Sequence, residues 1–107
     1  MNGWIGVDLD GTLAQYDGWH GPEHIGAPIP AMLARVQAWL AAGQRVKIFT
    51  ARAQPADYAV HVHGWLRAHG LAGLEVTNVK DYACIALWDD RAVQVVRNTG
   101  QRADGLE

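Results

Sequence analysis

The sequence has little of several features that identify common classes of protein. Its 107 residues include one cysteine, Cys84, which excludes an intramolecular disulfide and a zinc site built from several thiolates. The longest apolar run, Ala83 to Trp88, is far shorter than the roughly 20 residues needed to cross a bilayer. The first four residues lack the basic flank and apolar block of a secretion signal. We therefore expect a cytoplasmic protein with no membrane partner.

Positive charge is also scarce. Nine Lys and Arg stand against eleven Asp and Glu, which gives a net charge of −2, and no run of like charges occurs. Because electrostatic nucleic-acid binders are normally basic, a nucleic-acid partner is possible but not favoured. Apolar residues make up 50% of the chain, enough for a core, so we expect one domain over residues 1–107, with 100–107 as a polar tail.

Apolar runs alternate with helix-like segments, which is typical of an α/β domain. Five runs predict strands: Trp4 to Leu9, Val46 to Thr50, Leu74 to Val79, Ala83 to Trp88 and Ala92 to Val96. Two apolar stripes at helical spacing predict helices, which begin at Pro30 and Pro55 and stop at Gly43 and Gly70. Crossover helices favour parallel pairing. We therefore predict a Rossmann-like, doubly wound three-layer sandwich with a mainly parallel sheet of about five strands.

Polar side chains follow the end of four predicted strands. In chain order they are Asp8 and Asp10, Thr50 and Arg52, Lys80, and Asp89 and Asp90. Ligands of open α/β sheets bind beyond the carboxyl ends of the strands. Clustered carboxylates repel one another unless a hard divalent cation lies between them, and Mg²⁺ commonly binds through carboxylates together with substrate phosphate. Since Thr50 and Lys80 suit phosphate oxygens, the pattern indicates phosphoryl transfer.

Four segments resemble, in the right order, the motifs of the haloacid dehalogenase-like superfamily of phosphohydrolases. They are Ile5-Gly6-Val7-Asp8-Leu9-Asp10-Gly11-Thr12-Leu13, Lys47-Ile48-Phe49-Thr50-Ala51-Arg52, Lys80, and Leu87-Trp88-Asp89-Asp90. The resemblance extends from residue 5 to residue 90. It implies Mg²⁺-dependent hydrolysis of a phosphomonoester. The short intervals between the motifs leave no space for a separate cap domain, so we expect an open site that admits a small or a macromolecular phosphorylated substrate.

The resemblance also implies residue roles. Asp8 would attack phosphorus to form an aspartyl-phosphate, and Asp10 would protonate the leaving alkoxide and later take a proton from water. Thr50 would donate to a phosphate oxygen, and Lys80 would offset phosphate charge. The implied metal ligands are the Asp8 side chain, the Asp10 backbone carbonyl, Asp89 and Asp90. The implied substrate-binding residues are Gly11, Thr12, Ala51 and Arg52.

Several alternatives stay open at this point. The alternatives for Asp90 are direct metal binding, action through a bound water, pairing with Arg91 and capping of a helix. The cation that faces the phosphate is either Lys80 or Arg52. The loop from Gln15 to Pro28, with Tyr16, Trp19 and His20, is either a flap over the site or packing over a sheet edge. His61 and His63 lie about 200° apart on a helix and do not share an ion. Other functions are a receiver-type regulatory domain, a nucleic-acid-end phosphatase, or an inactive subunit of an oligomer.

Overall fold

A computed structural model describes residues 3–106 as a four-stranded sheet with two helices. The strands are β1 (Trp4–Val7), β2 (Arg45–Phe49), β3 (Glu75–Thr77) and β4 (Cys84–Trp88), and the helices are α1 (Pro30–Ala41) and α2 (Ala56–Ala68). A short 3₁₀ helix covers Ala51–Ala53. All neighbouring strands are parallel, in the order β3-β2-β1-β4. The predicted parallel α/β architecture is therefore confirmed and fits a Rossmann-like fold, with the end of β1 between those of β2 and β4.

Both helices have the boundaries that proline and glycine predict. Pro30 is the first residue of α1, where its missing N–H costs nothing, and Pro55 directly precedes α2. Gly43 and Gly70 follow the helix ends with φ of +83° and +78°, a conformation that glycine adopts without a Cβ clash.

The core lies between the two helices and one face of the sheet. Side chains alternate between the faces of a strand, so every second residue of each strand points toward the helices. The core residues of the sheet are Ile5, Val7, Val46 and Ile48, and those of the helices are Met32, Val36, Val62, Trp65 and Leu66. Since α1 and α2 join one core cluster, both lie on the same face. This agrees with two right-handed crossovers that step from β1 to β2 to β3 in one direction.

The opposite face of the sheet has no helix among residues 3–106, so the predicted doubly wound, three-layer sandwich is wrong. Residues 78–83 connect β3 to β4 and are too few for a crossover helix. This connection is tied to the sheet by a hydrogen bond of 2.9 Å from Trp4 Nε1 to Asp81 Oδ1. Lys47 Nζ lies 4.6 Å from the centre of the Trp4 ring. The architecture is one helical layer on one sheet.

The sheet has four strands, and the prediction of about five is wrong at residues 92–96. In this segment only Val95 makes a bridge, to Arg102. The Asp89 Oδ1 atom accepts hydrogen bonds from the backbone N–H groups of Arg91 at 2.7 Å and Ala92 at 3.1 Å. This turn follows β4 directly, and the segment after it forms no strand of the sheet although it is rich in valine.

The polar end of the chain folds back on the segment that precedes it. The Ala103 N–H donates to the Gln94 carbonyl at 2.8 Å, and the Val96 N–H donates to the Gln101 carbonyl at 2.8 Å. Glu107, the last residue of the expected tail, lies outside the described residues. Within residues 3–106, neither helix has the length and apolar composition of a membrane span, and the cytoplasmic location stays a prediction.

Candidate functional site

The central strand ends where the first predicted site residue begins. The Asp8 N–H donates to the Trp88 carbonyl at 2.9 Å, which fixes the end of β1 beside the end of β4. The chain then turns sharply, because the Leu9 carbonyl accepts from the N–H groups of Thr12 at 3.2 Å, Leu13 at 3.0 Å and Ala14 at 2.9 Å. The strand therefore ends at Val7, two residues before the predicted end at Leu9, and the Asp8 side chain lies at the edge of the sheet.

Gly11 and Thr12, which the resemblance implies bind substrate, both contact Asp90. Gly11 has a φ of +87°, and a Cβ built on it would lie 2.6 Å from Asp90 Oδ2. Only glycine fits this backbone with the carboxylate so close. Thr12 Oγ1 donates to Asp90 Oδ1 at 3.1 Å. The turn after β1 therefore positions Asp90, and a direct role of these two residues in substrate binding stays a prediction.

Three predicted metal ligands come together at this edge. One carboxylate oxygen each from Asp8, Asp89 and Asp90 lies within 4.8 Å of the others, and within residues 3–106 this is the one such cluster of acidic, histidine or cysteine side chains. Asp89 uses Oδ1 to close the turn described above, and its Oδ2 is free of that turn. The hydrogen bonds that close this turn thus go to Asp89, whereas Asp90 Oδ1 accepts from Thr12. An all-oxygen, anionic donor set fits a hard divalent cation.

Burial and the neighbouring acids raise the pKa of Asp8. Burial, a hydrogen bond with Asp90 and the negative charges of Asp89 and Asp90 raise the pKa of Asp8 to about 7, against an opposing hydrogen bond from the Leu9 backbone. A bound cation opposes this effect, because it favours the charged carboxylate. The donor set and its electrostatics therefore both suit a metal ion.

Asp10 has a different partner, Arg52. Arg52 donates from Nε to Asp10 Oδ2 at 2.7 Å and from Nη2 to Asp10 Oδ1 at 3.1 Å. The arginine is only 4% exposed, so this bidentate pair is shielded from water on the guanidinium side. The Asp10 side chain lies outside the acidic cluster, as expected for a residue whose implied metal ligand is its backbone carbonyl.

The same arginine holds the long loop against the site. Arg52 donates from Nη1 to the Pro22 carbonyl at 3.2 Å and from Nη2 to the His24 carbonyl at 3.1 Å, and its Cζ lies 4.7 Å from the Trp19 ring centre. Trp65 Nε1 donates to the Gly26 carbonyl at 2.9 Å. The loop thus packs on α2 and also borders the site. The hydrogen bonds of the Arg52 side chain go to Asp10 and to the loop.

Thr50 is buried at the end of β2, as the predicted phosphate donor should be. Its N–H donates to the Thr77 carbonyl at 2.9 Å, and its Oγ1 accepts from the Arg52 N–H at 3.1 Å. A hydroxyl that accepts in this way keeps its proton for another acceptor. The adjacent residue Ala51 is exposed and lies at the mouth of the site.

A cavity of about 280 Å³ joins these groups. It is lined by Asp8, Asp10, Tyr16, Trp19, Thr50, Ala51, Arg52, Tyr58, Asp90 and Arg91. Lys80 is exposed and is not part of this lining. It lies in the connection from β3 to β4, residues 78–83. His20 is not part of the lining either, and it contacts Asp17 Oδ1 at 3.2 Å instead.

Sequence reasoning missed two residues of the cavity wall. Arg91 follows the adjacent acids directly, and this position was a signal that a cation would share their turn. Tyr58 lies at a position of α2 whose helical spacing suits a core residue, but its ring stacks on Trp19 with 5.7 Å between ring centres. No local signal separates a core tyrosine from one at a cavity, since the partner comes from a loop about forty residues away.

Comparison with known proteins supports the fold. No family model and no curated protein matches the chain. A conserved protein from Bacteroides thetaiotaomicron has a solved structure that superposes with a TM-score of 0.66 and 21% identity, over 84% of this chain and 77% of that one. At this level of identity the similarity shows a shared fold.

Proposed function

We propose that the protein is a Mg²⁺-dependent phosphomonoester hydrolase of the haloacid dehalogenase-like type. One observation carries the proposal: Asp8 meets the adjacent pair Asp89 and Asp90, which lies far along the sequence, at the carboxyl end of the central strand. Asp8 and Asp90 line a cavity that Thr50 and Asp10 also line. A nucleophile, an anionic metal-binding cluster, a hydroxyl donor and a second acid are the groups that phosphoryl transfer requires.

In this mechanism Asp8 is the nucleophile. One of its carboxylate oxygens forms a bond to phosphorus while the bond from phosphorus to the leaving oxygen breaks. Mg²⁺, held by Asp8, Asp89, Asp90 and the Asp10 carbonyl, would neutralise charge on the carboxylates and the phosphoryl oxygens. Gly11 and Thr12 act on this step indirectly, because they fix the position of Asp90.

Asp10 moves the protons of both steps. In the first step it gives a proton to the leaving alkoxide, and in the second it takes a proton from the water that cleaves the aspartyl-phosphate. The Arg52 fork holds the carboxyl plane in one orientation. Each carboxyl oxygen keeps a second acceptor position for the transferred proton.

Thr50 and a cation stabilise the charge on the phosphoryl group. The free proton of the Thr50 hydroxyl points to a phosphate oxygen as its acceptor in the complex. Since the Arg52 side chain is held by Asp10 and the loop and Lys80 lies outside the cavity lining, we assign this role to Arg91, which also lines the cavity. The roles of Lys80 and Arg52 at the phosphate stay predictions.

The proposal is tested by release of inorganic phosphate from a panel of phosphomonoesters, with Mg²⁺ and with chelator, for wild type and Asp8→Asn. We expect turnover by the wild type with Mg²⁺ only, and none by Asp8→Asn, because an amide does not attack phosphorus. Asp57→Asn, which changes an exposed acid in the first turn of α2, serves as the matched control and should keep full activity.

Two outcomes would contradict the proposal. Equal phosphate release by wild type and Asp8→Asn would show that Asp8 is not the nucleophile. No release from any substrate, with stable Mg²⁺-dependent phosphorylation of Asp8 by a phosphodonor, would favour the receiver-type regulatory domain instead.

A further inference from the structure

Three aromatic residues line the cavity together with the acids. Tyr16 and Trp19 come from the long loop, and Tyr58 comes from the first turns of α2. Tyr16 is 49% exposed and Trp19 is 50% exposed. Both loop residues therefore keep surface that a ligand in the cavity can contact.

The wall is held in place by contacts within the protein. The Trp19 ring stacks with Tyr58 at 5.7 Å between ring centres, and the Arg52 Cζ lies 4.7 Å from the Trp19 ring centre. Arg52 in turn is bound to Asp10 and to two carbonyls of the loop. The aromatic surface and the proton-transfer residue are therefore fixed relative to each other.

From this arrangement we infer the substrate class: phosphomonoesters that carry a flat ring close to the phosphate, such as nucleoside 5′-monophosphates, with the ring lying on the wall of Tyr16, Trp19 and Tyr58. The inference rests on the proposed function for the phosphate end of the ligand. Base-on-aromatic stacking is favourable for every base, because every base has a π face. The cavity of about 280 Å³ is slightly smaller than the roughly 300–1,000 Å³ typical of ligand sites, which favours one small ligand.

The charges of the chain agree with a mononucleotide rather than a polynucleotide. With a net charge of −2 and no basic run, the chain has no positively charged surface stretch that would bind the phosphates of a nucleic-acid strand. Arg91 supplies one cation at the cavity, enough to meet a single phosphoryl group.

Adenosine 5′-monophosphate and ribose 5-phosphate test the inference as a matched pair. Both release phosphate from the same type of primary alkoxide. They differ in the adenine base, which only the nucleotide carries. We expect the wild type to have a kcat/KM at least about tenfold higher for the nucleotide, as the loss of one stacked base would produce. Tyr16→Leu and Tyr58→Leu should each reduce this preference severalfold, whereas Tyr16→Phe, which keeps the ring, should retain it.

Tyr82→Leu is the control, since Tyr82 is a fully exposed tyrosine outside the cavity, and its preference should equal that of the wild type. Calorimetric titration of both compounds into Asp8→Asn with Mg²⁺ measures the same preference without turnover. Equal dissociation constants for the two compounds, or a preference that both leucine variants leave intact, would overturn the inference. Selective nucleotide binding with no phosphate release by the wild type would contradict the hydrolase and support the stacking site.

Discussion

Two acids that stand two residues apart in the sequence, Asp8 and Asp10, have different surroundings in the folded protein. Asp8 faces the negative charges of Asp89 and Asp90, and Asp10 faces the guanidinium of Arg52. The sequence predicts that all of them lie at one edge of the sheet, because each follows a strand. It does not predict which acid meets which partner, since that depends on side-chain packing between segments about forty to eighty residues apart.

The pKa of Asp8 predicts how stability depends on pH in chelator. Its value rises from 3.8 to about 7 on folding, so between these values the folded chain holds a proton that the unfolded chain releases. This contribution to the free energy of unfolding is full below about pH 4 and is lost as the pH rises through about 7.

Urea unfolding of wild type and Asp8→Asn in chelator, at several pH values from about 4 to about 8, measures this effect. We expect the wild type to lose stability relative to Asp8→Asn as the pH rises. A difference between the two proteins that stays constant across this range would show that folding does not raise the pKa of Asp8.

Arg91 and Lys80 give a second prediction at the residue scale. Arg91→Ala should lower kcat/KM for a phosphomonoester by about 10- to 100-fold, because it removes positive charge from the cavity. Lys80→Ala should have a smaller effect, since Lys80 is not part of the cavity lining. A larger loss with Lys80→Ala would contradict this assignment and restore the role that the sequence resemblance implies.

The helices and most of the strands are predictable because their signals are local. Pro30 and Gly43 bracket α1 within the sequence of the helix itself. The missing fifth strand shows the limit of local signals. Residues 92–96 are rich in valine, as a strand would be, but a strand also needs a neighbour, and the turn closed by Asp89 separates this segment from the end of β4.

Gly64, inside α2, and Gly70, just after its end, form a matched pair for a stability test. Gly70→Ala should destabilise the protein by about 1–2 kcal/mol, because an L side chain is strained at a φ of +78°. Gly64→Ala should stabilise it by about 0.5–1 kcal/mol, because Gly64 lies inside the helix and the nearest atom to an added Cβ, Arg67 Nη2, is at an ordinary 3.6 Å. Urea unfolding measures both; a stabilising Gly70→Ala would show that α2 does not end at a left-handed glycine.

At the scale of the whole molecule, one helical layer supports a sheet whose ends carry the site. The three-layer prediction failed because the interval between Thr77 and Cys84 is too short for a helix on the opposite face of the sheet. The cavity was not predictable for a related reason: its wall joins the long loop to α2 through Trp19 and Tyr58, and neither segment alone indicates the other.

Mg²⁺ should stabilise the folded chain through the acidic cluster. At a Mg²⁺ concentration about 100 times the dissociation constant, binding contributes about 2.7 kcal/mol. For a domain of this size we therefore expect a rise in Tm of about 10–20 °C. Asp89→Asn should lose most of this rise and Asp57→Asn should keep it. Equal shifts in wild type and Asp89→Asn would show that the ion binds elsewhere.

The most direct measurement of the central claim is identification of the residue that becomes phosphorylated during turnover. The wild type is mixed with excess phosphomonoester and Mg²⁺, stopped in acid, digested and analysed by peptide mass spectrometry. The account predicts one phosphoryl group on the side chain of Asp8, and none on the corresponding peptide of Asp8→Asn. Phosphate release with no labelled peptide, or with the label on a different residue, would contradict it.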